Sequence, residues 1–301
     1  MSFRQCQTIL FLLSWLIPSV AFAKLDILAC EPEWQSLAEL LGGDKVDVKS
    51  ATTAFQDPHH IEARPSLIVK ARNSELIFCT GAELEIGWLP LLLTKSSNYH
   101  IQKNQIGYFL ASDQVELIEK PATLDRSQGD VHAAGNPHVH WDPYRVLKIA
   151  AAFSERLKKI DADNSEYYQQ RNAEFISRWS SSIKKWESMA APLRGKRVIV
   201  YHKNWSYLLK WLEVEVAGDL EPKPGIPPTS AHLARLLSRT KDKKPDVILI
   251  ANYQDDKGAQ WLGKKSGVPI LELPFTVGGS KSADSLFTLY EDALSKLKQI
   301  R

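Results

Sequence analysis

The chain has 301 residues, 44% hydrophobic and 24% charged, with a formal net charge of +3. That is an ordinary globular balance, with length for one large or two medium domains. It carries no basic block of the kind nucleic acid requires, and past the first residues no stretch is long and apolar enough to span a bilayer.

Residues 1–23 read as a cleaved secretory signal peptide. Arg4 supplies the positive start, residues 9–17 are almost wholly apolar, and Ala21-Phe22-Ala23 fits the small-x-small cleavage rule. Removing them takes away one positive charge and leaves the mature chain at about +2. Cys6 leaves with the signal. Cys30 and Cys79 remain, an even number in an oxidising compartment, which permits a disulfide. Leu28-Ala29-Cys30 faintly resembles a lipidation site, but Lys24 and Asp26 interrupt the apolar run before it.

Residues 25–29 form an apolar strand. Residues 32–41 follow as a helix that stops at Gly42-Gly43, and 46–48 as a second strand. A polar loop over 50–64 holds Asp57-Pro58-His59-His60. Pro65 opens a helix to about residue 73. Residues 76–79 read as a strand and 83–93 as a helix. The alternation argues for a parallel sheet covered by helices. Cys30 and Cys79 both fall at C-terminal strand ends, within bonding reach if those strands are neighbours.

Between residues 94 and 135 the pattern weakens. Residues 106–110 and 115–118 are short strand candidates, and 125–135 is a polar loop with His132. Asn136-Pro-His-Val-His-Trp-Asp-Pro143 is stiffened by its two prolines. Val146, Ile149, Ala150, Phe153, Leu157 and Ile160 then follow helical spacing. A long helix spans about 165–190, with Asn164 as N-cap and Tyr168, Phe175, Ile176, Trp179, Ile183 and Trp186 as its apolar stripe. A second alternation follows. Strands are expected at 197–201, 214–217, 246–251 and 269–273. Helices are expected at 205–212, from Thr229 or Ser230 to 241, at 256–265 and at 283–300. The expected fold is therefore α/β, with two lobes, each a mainly parallel sheet flanked by helices, joined by one long backbone helix. The division is a signal peptide over 1–23, an N-terminal α/β lobe over 24–163, a linking helix over 164–192 and a C-terminal α/β lobe over 193–301.

In open α/β sheets, sites lie at the C-terminal ends of strands. His202 ends a strand, and His59 and His138 sit on loops that reach such ends. Three separated histidines of this kind point to a metal site, and imidazole nitrogen suits zinc, whose usual coordination is fourfold. Manganese favours more carboxylate oxygen. His60, His132 and His140 are neighbouring alternatives. Asp57, Asp142 and Glu62 can orient imidazoles or simply cap loops. No nucleophile elbow, Walker loop or His-Glu-x-x-His helix is present.

Three motifs in order carry a resemblance. They are Asp57-Pro58-His59-His60 followed by Arg64-Pro65-Ser66, then Asn136-Pro137-His138 with Asp142-Pro143, then Tyr201-His202 before Trp205. Together with the long helix, they make the chain resemble the zinc- and manganese-binding periplasmic proteins of ABC importers, the ZnuA/TroA-like family. The resemblance implies two lobes on a rigid helix with one metal in the cleft, held by His59, His138 and His202. Histidine at the third position is similar to the zinc members. Two departures stand out. His140 stands where the family usually has Trp, which makes it a rival or auxiliary ligand. The loop after the last strand, Pro274 to Gly279, holds no carboxylate where the fourth ligand is often an Asp. Water, Glu221 or Asp256 can fill that place, with water preferred, and His60 is a further auxiliary.

The function implied is that of a periplasmic, monomeric, high-affinity Zn2+ carrier, with Mn2+ second, that hands metal to an ABC permease in the inner membrane. It is not an enzyme and binds no nucleic acid. The alternatives are a zinc-dependent hydrolase, which needs an open metal position and a base, and a metal-binding surface adhesin on the same fold.

Overall fold

The computed structural model describes residues 24–121 and 129–300. The signal-peptide reading therefore lies outside the described residues, as does part of the 125–135 loop. The first sheet comprises β1 (Leu25–Ala29), β2 (Val46–Ser50), β3 (Leu76–Cys79) and β4 (Tyr108–Leu110), all parallel in the order β2-β1-β3-β4. Helices α1 (Pro32–Gly42), α2 (Pro65–Asn73) and α3 (Leu89–Ser96) connect its strands. Helix α4 (Pro143–Ile160) follows the central loop and leads to α5 (Ser165–Ala190). The second sheet repeats the plan with β5 (Arg197–Val200), β6 (Glu215–Asp219), β7 (Val247–Ala251) and β8 (Ile270–Leu273) in the parallel order β6-β5-β7-β8. Its helices are α6 (Ser206–Trp211), α7 (Ser230–Arg239), α8 (Lys257–Ser266) and α9 (Leu286–Leu297). The central strands β3 and β7 are buried at every residue, as strands covered on both faces must be.

Helix α5 has 26 residues and so is about 39 Å long. Its aromatic stripe is buried and binds both halves of the molecule. Trp179 Nε1 donates to the Pro143 carbonyl at 2.8 Å, and Arg171 Nη2 donates to the Leu40 carbonyl at 2.7 Å. On the other side Trp186 stacks on Tyr290 of α9 at 4.7 Å, and Trp179 packs on Phe287 at 4.8 Å. One apolar core therefore runs from β1 through α4 and α5 to β7 and α9. The expected N-cap is only half realised: Asn164 occupies the position, but its amide donates to the Asp161 carboxylate and no side-chain cap forms.

Strands β1 and β3 are neighbours, and Cys30 and Cys79 form a disulfide with Cα atoms 4.7 Å apart. Cys30 is fully buried and is not a free thiol for lipid attachment.

Two expected elements differ. The helix expected over 83–93 begins only at Leu89, because Gly81, Ala82 and Glu83 all adopt positive φ. Glu85 turns back onto this bend, its carboxylate accepting from the Thr80 N–H at 2.8 Å and the Gly81 N–H at 3.1 Å. Residues 115–118 form no strand. Their backbone groups are used elsewhere: the Ile118 N–H donates to the Tyr207 hydroxyl and the Ile118 carbonyl accepts from the Asn136 N–H.

Candidate metal centre

Four histidines meet between the two sheets. His59 comes from the loop between β2 and α2. Its Nδ1–H donates to Asp57 Oδ1 at 2.7 Å, and the same oxygen accepts the His59 backbone N–H at 3.0 Å. The loop is pinned by Trp88, whose Nε1 donates to the Pro58 carbonyl at 2.8 Å. His202 directly follows β5 and Tyr201. Its Nδ1–H donates to Glu221 Oε2 at 2.6 Å, and that oxygen also accepts the Gly225 N–H. In both rings the carboxylate fixes the tautomer and leaves Nε2 with a lone pair for a ligand.

His138 sits in the proline-bounded loop. Asn136 Oδ1 accepts its backbone N–H, while Asn136 Nδ2 donates to Glu119 and to the Lys203 carbonyl beside His202. The loop of His138 is thereby tied to the segment of His202. Both ring nitrogens of His138 are buried without a hydrogen-bond partner. Buried polar groups are almost always paired, so a ring left this way is suited to a cation. Ligand nitrogens of His59, His138 and His202 all lie within 4.8 Å of one another.

His132 is the fourth. Its Nε2 lies 3.2 Å from His59 Nε2, with ring centroids 5.3 Å apart. Tetrahedral bonds of 2.0–2.1 Å imply nitrogens about 3.4 Å apart. The flanking backbone is anchored on both sides of the cleft, since the Asp130 N–H donates to the Pro224 carbonyl and the Ala133 N–H to Glu83 Oε2. Sequence placed His132 only among neighbouring alternatives. Its one local signal is a histidine beside an acid, Asp130-Val-His132, six residues before His138.

Burial pushes the His132 pKa down to about 3, helped by the neighbouring His59 and His202. It pushes His138 well below the usual range for the same reasons. Burial also acts downward on His202, but the Glu221 hydrogen bond and charge outweigh it and raise the net value. Burial acts upward on Asp57, yet hydrogen bonding and charge from His59 bring its carboxyl down to about 2. The site thus offers two imidazoles held neutral, His132 and His138, beside two backed by carboxylates, His59 and His202, which suits a divalent cation.

The remaining named residues lie elsewhere. His140 is buried and outside the cluster: its Nε2 meets the Phe275 carbonyl, and its Nδ1 points at Glu33 Oε1, 3.1 Å away, without a hydrogen bond. His60 is exposed and lies 3.7 Å from Asp130. Glu221 serves His202, and Asp256 accepts from Gln260 at the start of α8. Asp142 caps α4 and pairs with Arg145, and Glu62 is exposed. A cleft of about 250 Å³ lined by Asp57, His59, His202, Glu221 and Tyr253 opens onto the cluster.

The chain is similar over 281 residues, at 25% identity, to the iron ABC transporter substrate-binding lipoprotein MtsA of Streptococcus pyogenes serotype M1, covering 92% of this chain and 88% of the relative. It is 23% identical over 284 residues to the manganese ABC transporter substrate-binding lipoprotein PsaA of Streptococcus pneumoniae, with the same coverage of 92% and 88%. Among solved structures, a crystal structure of ZnuA superposes with a TM-score of 0.72 at 20% identity, over 91% of this chain and 98% of that one. The Mn-bound periplasmic metal binding protein from Candidatus Liberibacter asiaticus gives 0.74 at 15% identity, over 91% and 99%. These two structures share the fold. Residues 27–300 match the family model described as zinc-uptake complex component A, periplasmic, and the chain belongs to that family.

Proposed function

We propose that this is an exported zinc-binding protein that carries Zn2+ through the periplasm to an ABC permease in the inner membrane, with His59, His132, His138 and His202 as the ligands. The relatives are substrate-binding proteins of metal ABC transporters, named for iron and manganese, so transport of a divalent metal is the family's common ground. The single observation that carries zinc is the ligand set: three imidazoles with nitrogens within 4.8 Å of one another and a fourth, His132, 3.2 Å from His59, with carboxylates placed behind His59 and His202. Neutral imidazole favours zinc, whereas manganese prefers oxygen. A closed fourfold set is that of a holding site. A zinc hydrolase keeps one position open for water, and four histidines leave none. The residues that clasp the ion are loop residues on both sheets, so release needs only local loop movement.

Calorimetric titration with Zn2+ and Mn2+ tests the reading. Zinc is expected to bind one to one and more tightly than manganese. His138→Ala is expected to weaken zinc by about 100-fold or more, above the 10–100-fold typical of losing a supporting partner. Equal affinity for the two metals, or unchanged zinc affinity in the variant, would refute it.

A further inference from the structure

Two of the four histidines are steered by carboxylates, and His138 is not. Its ring is instead held edge-on by Phe275, at 5.4 Å and 85°, and by His140, at 6.4 Å and 89°. The rings of His59 and His202 also meet it edge-on, at 6.0 and 5.8 Å, so Phe275 and His140 are its ring neighbours outside the ligand set. His140 Nε2 lies 3.2 Å from the Phe275 carbonyl. A carbonyl only accepts, so Nε2 carries the hydrogen. His140 Nδ1 lies 3.1 Å from Glu33 Oε1 without a hydrogen bond between them, and the other Glu33 oxygen accepts the Thr276 hydroxyl, next in sequence to Phe275. The His140 carbonyl accepts from the Tyr290 hydroxyl at 2.7 Å. Glu33 belongs to the first turn of α1, and Phe275 and Thr276 follow β8. A polar chain thus crosses from one lobe to the other through the loop that presents His138.

Glu33 and His140 are 0% and 1% exposed. Burying such groups costs stability unless they are paired, and an apolar pair of the same volume is often as stable. Their value therefore has to be sought in geometry. We propose that Glu33 and His140 are positioning residues: the tether from Glu33 of α1 through Thr276 and Phe275 to His140 sets the His138 ring and thereby slows metal release. This rests on the metal-binding reading above. It also gives the histidine two residues after His138 a role that is not ligation.

The double variant Glu33→Leu with His140→Phe tests it, since it removes both ionisable members of the tether together and leaves only the neutral Thr276 hydroxyl and Phe275 carbonyl without their partners. Zinc association and dissociation are followed by stopped flow against a fluorescent chelator, and ring nitrogens by NMR on the zinc-free protein. The expected result is a folded protein with an unchanged association rate and a dissociation rate raised about ten-fold or more. The His138 ring signals broaden or split, and those of His59 and His202 stay put. A folded double variant with wild-type dissociation and wild-type His138 signals overturns the tether. Should the double variant not fold, Thr276→Val carries the test, with a smaller rise in dissociation expected and an unchanged rate overturning the proposal. A wild-type protein that bound no zinc would overturn the metal reading and the tether together. Zinc binding with unchanged release in the variant overturns the tether alone.

Discussion

His59 and His202 each spend Nδ1–H on a carboxylate, at 2.7 and 2.6 Å. Asp57→Asn or Glu221→Gln is therefore expected to lower zinc affinity by about 10–100-fold, as supporting partners usually do, and chelator competition measures it. His132→Ala is expected to fall at least as far, because a ligand is lost. The pH dependence has a definite sign. His132 and His138 are held neutral by burial, so protons do not compete for them near neutrality. His202, despite the burial that opposes charge, has a raised pKa through Glu221 and must give up its proton to bind metal. Zinc affinity is thus expected to fall as pH drops through that raised value, and Glu221→Gln should flatten the dependence. Titrations in buffers of different ionisation enthalpy count the released proton. The convergence of His59, His138 and His202 was legible because prolines or a strand end mark each one. His132 was not singled out, since its place depends on anchors at Glu83 and Pro224, distant in sequence. His140 and His138 are only two residues apart and share Phe275 as a neighbour, but across the 3₁₀ turn His138 faces His59 and His202 while His140 meets the Phe275 carbonyl and Glu33.

At the scale of elements, the alternation of apolar strands and capped helices exposed both sheets in the sequence. The failures were local. The start of α3 was misplaced because Glu85 folds back on the bend at Gly81, a side-chain choice that no periodicity records. The same bend carries a pH-sensitive pair. Burial raises Glu85 to about 7, and burial together with the Glu85 and Glu33 charges raises Glu31 well above its usual range. A carboxyl whose folded pKa is raised stabilises fully below its unfolded value and loses that contribution as pH climbs through the folded one. Stability is therefore expected to decline between about pH 4.5 and 7 on this account. Glu85→Gln should reduce that decline in denaturant titrations at a series of pH values; an unchanged slope would count against it. The Cys30–Cys79 bridge spans 49 residues. The chain-entropy model gives such a loop about 4 kcal/mol, so the double Ala variant should lose a substantial part of that in urea unfolding. Trp179→Ala in α5 empties a fully buried site and should cost about 3–5 kcal/mol.

For the whole molecule, the continuous core from β1 through α5 to α9 makes the relative position of the lobes hard to change. Metal binding should leave the radius of gyration in solution scattering unchanged, and a marked contraction would instead indicate hinge closure. Hydrogen exchange should slow at residues 129–138, where the backbone of His132 and His138 lies. The central claim is that four histidines close on one zinc ion. A crystal of the zinc-loaded protein measured on both sides of the zinc absorption edge tests it most directly. One anomalous peak is expected, bonded at about 2.0–2.1 Å to His59, His132, His138 and His202. A peak elsewhere, or one whose ligands omit these histidines in favour of carboxylates and open water positions, would contradict it.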